Sequence, residues 1–412
     1  MGDLIEQFSG PVLFSYVWWV LYQAVQMRIN RLYFLARDGC LLREIAGQFC
    51  RKYSLPIECR YLYCSRTALR MPCYHLIGEE AYDLLLLGGY RVSLRSILDR
   101  AGLGDSERQD VYQECGLTDW DENTLLQKKE LAVVRDLLRR SHSYRQAVDR
   151  RSREVYPAAM GYLRQEGLFE GGPAAIVDSG WTGSMQRSLR QLLQSGGYTG
   201  EIIGFYFGMY AAPKGPEDGT YLTWFFSGRA DLFRKIPFNN NLFECLLSAP
   251  HGMTSGYKLQ NGTYVPTCLP CTEDYAQKVR EQMERILNFT GKKLETAVFE
   301  RFDAKRLRQE SKKIISRYMA RPNREEAAAL GEYLFCDDVT EGYFRRLADA
   351  SQTPALKNYA ILRRIYRRLA GRPAGGTADL YWPCGTAAFL PPIKRLWYRW
   401  NIYLWELLRY VL

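Results

Sequence analysis

The densest concentration of groups able to do chemistry is AAIVDSGWTGSMQRSLRQLL, residues 174–193. An apolar run delivers Asp178, Gly180 and Gly183 permit a tight backbone path, and Thr182 and Ser184 bring hydroxyls to the opening of an amphipathic stretch. Backbone N–H groups at the start of a helix attract phosphate or carboxylate. The pattern therefore reads as a strand–loop–helix cradle for a phosphate-bearing ligand. Asp178 would hold a metal-bound water, a ribose hydroxyl or an amine, and Mg²⁺ is the candidate ion. The competing reading is a structural turn in which Ser and Thr only cap the helix.

Two further loops carry polar residues after apolar runs. Arg37-Asp38-Gly39 follows RLYFLA, and Ser65-Arg66 follows RYLYC. Arg37 would pair with an anionic group and Asp38 with a hydroxyl or a cation, unless the two pair only with each other. Ser65 and Arg66 would form a third wall. Glu244 and His251 are an acid–base candidate pair, because His251 lies between Pro250 and Gly252 in a turn and an imidazole titrates near neutral pH; a loop histidine without function is the alternative. The candidate catalytic set is thus Asp38, Asp178, Glu244 and His251. The candidate ligand-binding set is Arg37, Gly39, Ser65, Arg66, Gly180, Thr182, Gly183 and Ser184. Cys268 and Cys271 form a lone CxxC with no second ligand pair at zinc spacing, which reads as two ordinary loop cysteines.

Positioning these loops requires strands. Leu32–Ala36, Tyr61–Cys64, Ala174–Val177 and Ile202–Phe207 are short apolar runs rich in β-branched and aromatic residues, alternating with helical stretches. That alternation predicts an α/β fold with a mainly parallel, doubly wound, Rossmann-like sheet, whose ligands bind at the carboxyl edge. Residues 1–66 and 166–265 read as the α/β core, 67–165 as a helical insertion, and 266–412 as a helical C-terminal region. A Gly/Pro-rich loop is expected after Tyr210.

The chain has 412 residues, is 47% hydrophobic and carries a formal net charge of +11. It is long enough to bury a full core and favours acidic partners. Nucleic acid is disfavoured as the partner, since no zinc-finger, helix-turn-helix or RNP-like pattern accompanies the basic residues. Eleven cysteines at irregular spacings predict reduced thiols. The start MGDLIEQFSG lacks a basic leader region, so a cytoplasmic location is expected. Residues 10–27 approach spanning length but contain Ser15, Gln23 and Gln26, which predicts a buried helix rather than a membrane span. In PPIKRLWYRWNIYLWELLRYVL, aromatic and basic residues interleave. That segment either lies on the inner membrane face as a peripheral contact or packs on the domain through Trp397, Ile402, Leu404 and Leu408.

The strings GPVLFSYVWWV, YFLARDGCLL, YLYCSRTAL, VDSGWTGSMQRSL and FECLLSAPHG resemble the downstream half of large bacterial proteins identified as predicted hydrolases of the haloacid dehalogenase superfamily. The likeness spans roughly residues 10–260. It implies a setting in surface-polysaccharide synthesis beside glycosyltransferases. Those proteins place an Asp-x-Asp pair in an upstream domain; here the nearest counterpart, Asp38-Gly39-Cys40, has a thiol as its second member. A weaker resemblance is to type I phosphoribosyltransferases, in which an acid precedes a Thr-Gly turn as Asp178 precedes Thr182-Gly183, although Val177 replaces the first acid of the pair. Together these imply an enzyme acting on a phosphorylated sugar or nucleotide, with a phosphoribosyltransferase-like transferase, or a non-catalytic scaffold docking glycosyltransferases at the membrane, as alternatives.

Overall fold

Apolar runs bounded by Gly, Pro and charged residues become five strands of one sheet in the computed structural model, which describes residues 4–86, 92–211, 219–228, 231–336, 344–363, 366 and 380–411. The strands are β1 (Arg31–Leu35), β2 (Glu58–Leu62), β3 (Ala174–Asp178), β4 (Ile202–Met209) and β5 (Thr220–Ser227). All neighbouring pairs are parallel, in the order β2-β1-β3-β4-β5. The four expected strands share this sheet. The fifth, TYLTWFFS, follows the loop expected after Tyr210, of which residues 212–218 lie outside the described residues.

β3 and β4 are buried along their whole length, as strands covered on both faces must be. β2 is one of the two edge strands, and its charged positions are managed by ion pairs from Arg31 and Arg60 to Glu58 at 2.7 and 2.6 Å. One face is covered by α1 (Gly10–Gln26) and α2 (Gly39–Tyr53), whose Val17, Trp19, Ile45 and Phe49 join Phe34, Val177 and Phe205 in the main apolar cluster. The N-terminal apolar run is therefore a buried helix. No helix among the described residues is long and apolar enough to cross a membrane.

The other face is covered by α5 (Ser184–Ser195) and the end of α4 (His142–Gln165); α3 (Arg66–Arg70) follows β2. Between α3 and the middle of α4, short helices gather their own apolar cluster around Leu94, Ile97, Leu98, Val134 and Tyr144. α4 belongs to both groups: Ala147 and Val148 face the insertion cluster, whereas Met160 and Leu163 face the sheet.

After the sheet come α6 (Asn240–Leu246) and an antiparallel hairpin, β6 (Thr254–Gln260) with β7 (Thr263–Cys268). The hairpin lies on α4. Tyr257 stacks on Tyr162 with ring centroids 4.4 Å apart, and a methyl group on Gly161 would lie 2.1 Å from the Tyr264 ring. α7 (Glu273–Thr296) and α8 (Ala304–Ile315) return to α1 and α2, so Ile286, Phe289 and Ile315 enter the main cluster. A short ribbon, β8 (Leu334–Phe335) with β9 (Arg345–Arg346), precedes the final helix α9 (Pro392–Val411).

Candidate functional site

In this strand order, β1 has β2 on one side and β3 on the other. The chain leaves β1 in one direction and returns to build the sheet in the opposite one, so the loops after β1 and β3 diverge and open a crevice at their carboxyl ends. Asp38 follows β1 and Asp178 ends β3. A cleft of about 360 Å³ opens there, and its walls include Arg37, Asp38, Ser65, Arg66, Asp178, Gly180, Thr182, Ser184 and Glu244. Three loops distant in sequence thus meet at one place, as the candidate residues required.

The two carboxylates set the electrostatics. Asp178 is buried, with 8% of its surface exposed. Burial raises its pKa well above the usual carboxylate range, and the nearby charges of Asp38 and Glu244 add to the rise against the backbone N–H groups of Ser179 and Gly180. Burial likewise pushes Asp38 up to about 6, offset by the Ser179 hydroxyl and the charges of Arg37 and Arg66. The Ser179 hydroxyl donates to Asp38 Oδ2, bridging the two loops. The backbone beneath is held by Tyr16 of α1, whose hydroxyl lies 2.7 Å from the carbonyl oxygen of Asp178 and 2.9 Å from that of Phe205.

Glycine supplies the backbone path. Gly180 has φ +140°, and a Cβ there would lie 2.0 Å from the Gly208 carbonyl oxygen. Gly183 has φ +67° and leads into α5 with no side-chain cap and no acid in the first turn. Trp181 turns inward between them, and its indole Nε1 donates to Glu244 Oε1 at 2.6 Å. Glu244 thereby gains a fixed orientation beside Asp178.

Other expected residues have structural duties. Ser65 accepts from Ala68 N–H at 3.0 Å as the cap of α3 and donates to the Thr254 carbonyl at 2.6 Å, so its hydroxyl is already committed to the hairpin. Gly39 is buried at the start of α2, where a Cβ would meet the Phe34 backbone at 2.5 Å; it allows close approach and does not line the cleft. Gly183 is likewise behind the wall. His251 is not brought to Glu244. Its Nε2 is 2.8 Å from the Tyr61 hydroxyl and its Nδ1 2.8 Å from the Gly252 carbonyl, while burial, more than the charge of Arg37, lowers its pKa. Cys268 and Cys271 are exposed, and no group of three or more His, Cys, Asp or Glu suited to a metal ion occurs among the described residues.

The structure adds residues that sequence reasoning did not single out. Ser179 lies directly after Asp178 in the same loop, and its hydroxyl is the available signal. Cys245 lines the cleft from α6, Ser248 from the turn after it and Tyr275 from α7, with Phe335 of β8 and Phe344 just before β9. Cys245 and Ser248 belong to FECLLSAPHG beside Glu244, whereas the local sequence of Tyr275, Phe335 and Phe344 carries no mark of a site.

The fold and cleft define a class: a doubly wound parallel α/β protein with one buried and one half-buried acid, Asp178 and Asp38, at the switch point of its sheet. No protein-family model matches the chain, and no curated protein matches its sequence.

Proposed function

We propose that the cleft binds a phosphorylated sugar or nucleotide and catalyses transfer or hydrolysis at its phosphate ester. The observation that carries this reading is the meeting of Asp38 and Asp178 with Arg37, Arg66 and the start of α5 in one crevice. The guanidinium groups and helix N–H groups suit the phosphate. The acid pair suits either proton transfer, with one member protonated near neutral pH, or a cation. Two oxygen-donor side chains fit Mg²⁺, which uses one or two carboxylates and completes its shell with water and ligand phosphate; Asp178 and Asp38 would hold it, and it would neutralise charge on the phosphate.

The resemblance to haloacid dehalogenase-type proteins supports a role in bacterial surface-polysaccharide synthesis, in the cytoplasm near the membrane and beside glycosyltransferases. Cys40 does not replace the missing second acid, because burial pushes its thiol up to about 11; chemistry through positioning and charge stabilisation suits the cleft better. The phosphoribosyltransferase-like alternative draws on Thr182, four residues after Asp178 and on the same wall. Thermal denaturation with sugar nucleotides, sugar phosphates and phosphoribosyl pyrophosphate, with and without Mg²⁺, tests the reading. A true ligand at a hundred times its Kd stabilises the fold by about 2.7 kcal/mol. A non-catalytic scaffold would show no saturable stabilisation by any of them.

A further inference from the structure

We infer that α9 is an interfacial helix that seats the protein on an anionic membrane surface. Its large apolar residues recur three or four positions apart, at Ile393, Leu396, Trp397, Trp400, Tyr403, Leu404 and Leu408. All are exposed, Ile393 at 86%, Leu396 at 60% and Trp400 at 59%. A helix of a water-facing protein turns such a stripe toward the core; α9 leaves it outside.

A second face of α9, which mixes polar and apolar residues, attaches to the protein, and Tyr398 and Trp405 pack there. Asn401 is buried and accepts from Ile361 N–H at 3.0 Å, while Ile402 packs in a small cluster with Leu356 and Tyr359. Arg399 donates to the Pro322 carbonyl and Arg395 to the Leu390 carbonyl. The orientation is thus fixed by specific bonds.

Chemistry selects a bilayer as the occupant. The stripe contains no acid, and the one acid of the helix, Glu406, is held back by burial and lies 3.7 Å from Arg409. Exposed Lys394 borders the stripe on one flank. On the other, the Arg399–Pro322 bond sets α9 beside Arg321, which with Lys312 and Lys313 lines an open basic groove. Indole and phenol rings favour the headgroup layer, and flanking cations favour anionic lipid. At 20 residues, α9 is about 30 Å long and presents this face continuously.

The helix is also joined to the cleft. Tyr410 stacks on Tyr210 with centroids 5.9 Å apart, and Tyr210 lies 5.8 Å from Trp181, whose indole holds Glu244. A bilayer under α9 therefore lies one chain of aromatic contacts from the site. The inference does not rest on the ligand assigned to the cleft.

Sedimentation of the full chain with phosphatidylcholine vesicles, with and without phosphatidylglycerol, tests it. Phosphatidylglycerol should recruit the protein, salt should weaken the recruitment, and the double variant Trp397→Ser/Trp400→Ser should partition about tenfold less or weaker still. Lys312→Glu/Lys313→Glu should remove the preference for anionic lipid, and Asp178→Asn should bind vesicles like the parent chain. Circular dichroism confirms folding of each variant, as the four surface positions are exposed. Undiminished vesicle binding by the tryptophan variant overturns the inference. So does a parent chain that ignores vesicles but self-associates through the same tryptophans, which would assign the stripe to a second copy.

Discussion

Asp38 and Asp178 hold protons in the folded chain that they would lose in the unfolded one at the same pH. Their folded pKa values are raised, so the stability they confer is complete below the ordinary carboxylate pKa and is lost as pH rises through about 6 for Asp38. The ligand-free protein should accordingly unfold at a higher temperature near pH 5 than near pH 7.5, by about 1–3 kcal/mol of stability. In Asp38→Asn this slope should flatten in a pH series of melting curves; an unchanged slope would locate the proton elsewhere. A cation requires the ionised pair, so Mg²⁺-dependent ligand binding should strengthen over the same interval, the opposite trend to stability. Asp178→Asn should weaken that binding about 10–100-fold while leaving the melting temperature equal or higher, since the amide stays neutral where the buried carboxyl is forced to keep a proton; titration calorimetry and melting curves separate the two effects.

At the scale of elements, the site depends on how α1 and α2 seat the strand ends. Tyr16 reaches through the sheet face to the carbonyls of Asp178 and Phe205, so Tyr16→Phe leaves buried acceptors without their donor. The expected loss is about 1–3 kcal/mol, together with weaker ligand binding that saturating ligand partly rescues in a melting assay. Gly39→Ala forces a Cβ against the Phe34 backbone at 2.5 Å, where backbone gives way poorly. It should destabilise by about 1–3 kcal/mol and separate Arg37 and Asp38 from the β3 loop. Denaturant unfolding measures the first effect, and ligand affinity the second.

At the scale of the whole molecule, the insertion cluster around Leu98 is separate from the clusters that line the sheet. Leu98→Ala should cost about 2–5 kcal/mol of stability yet leave ligand affinity within about twofold, because no residue of that cluster lines the cleft; a large affinity loss would show that the insertion shapes the site. Much of the sheet was readable from sequence, since the runs ending at Leu35 and Asp178 are short, apolar and closed by Gly and polar residues, and those signals are local. The same holds for the strand–loop–helix turn from Asp178 to Ser184. β5 escaped notice because it emerges from a Gly/Pro-rich stretch, and the hairpin because its exposed strands carry little apolar signal. His251 looked available because a sequence does not show Tyr61 beside it. The stripe of α9 makes the division plain. Periodicity in the chain determined that a helix there has one apolar face, but not which way it points. Asn401 and Arg399 decided that by bonding to backbone groups from elsewhere in the chain. Likewise the sequence determined that acids follow β1 and β3, and only the order of strands made them neighbours, because adjacency across a sheet is set by long-range pairing, of which local composition carries no record.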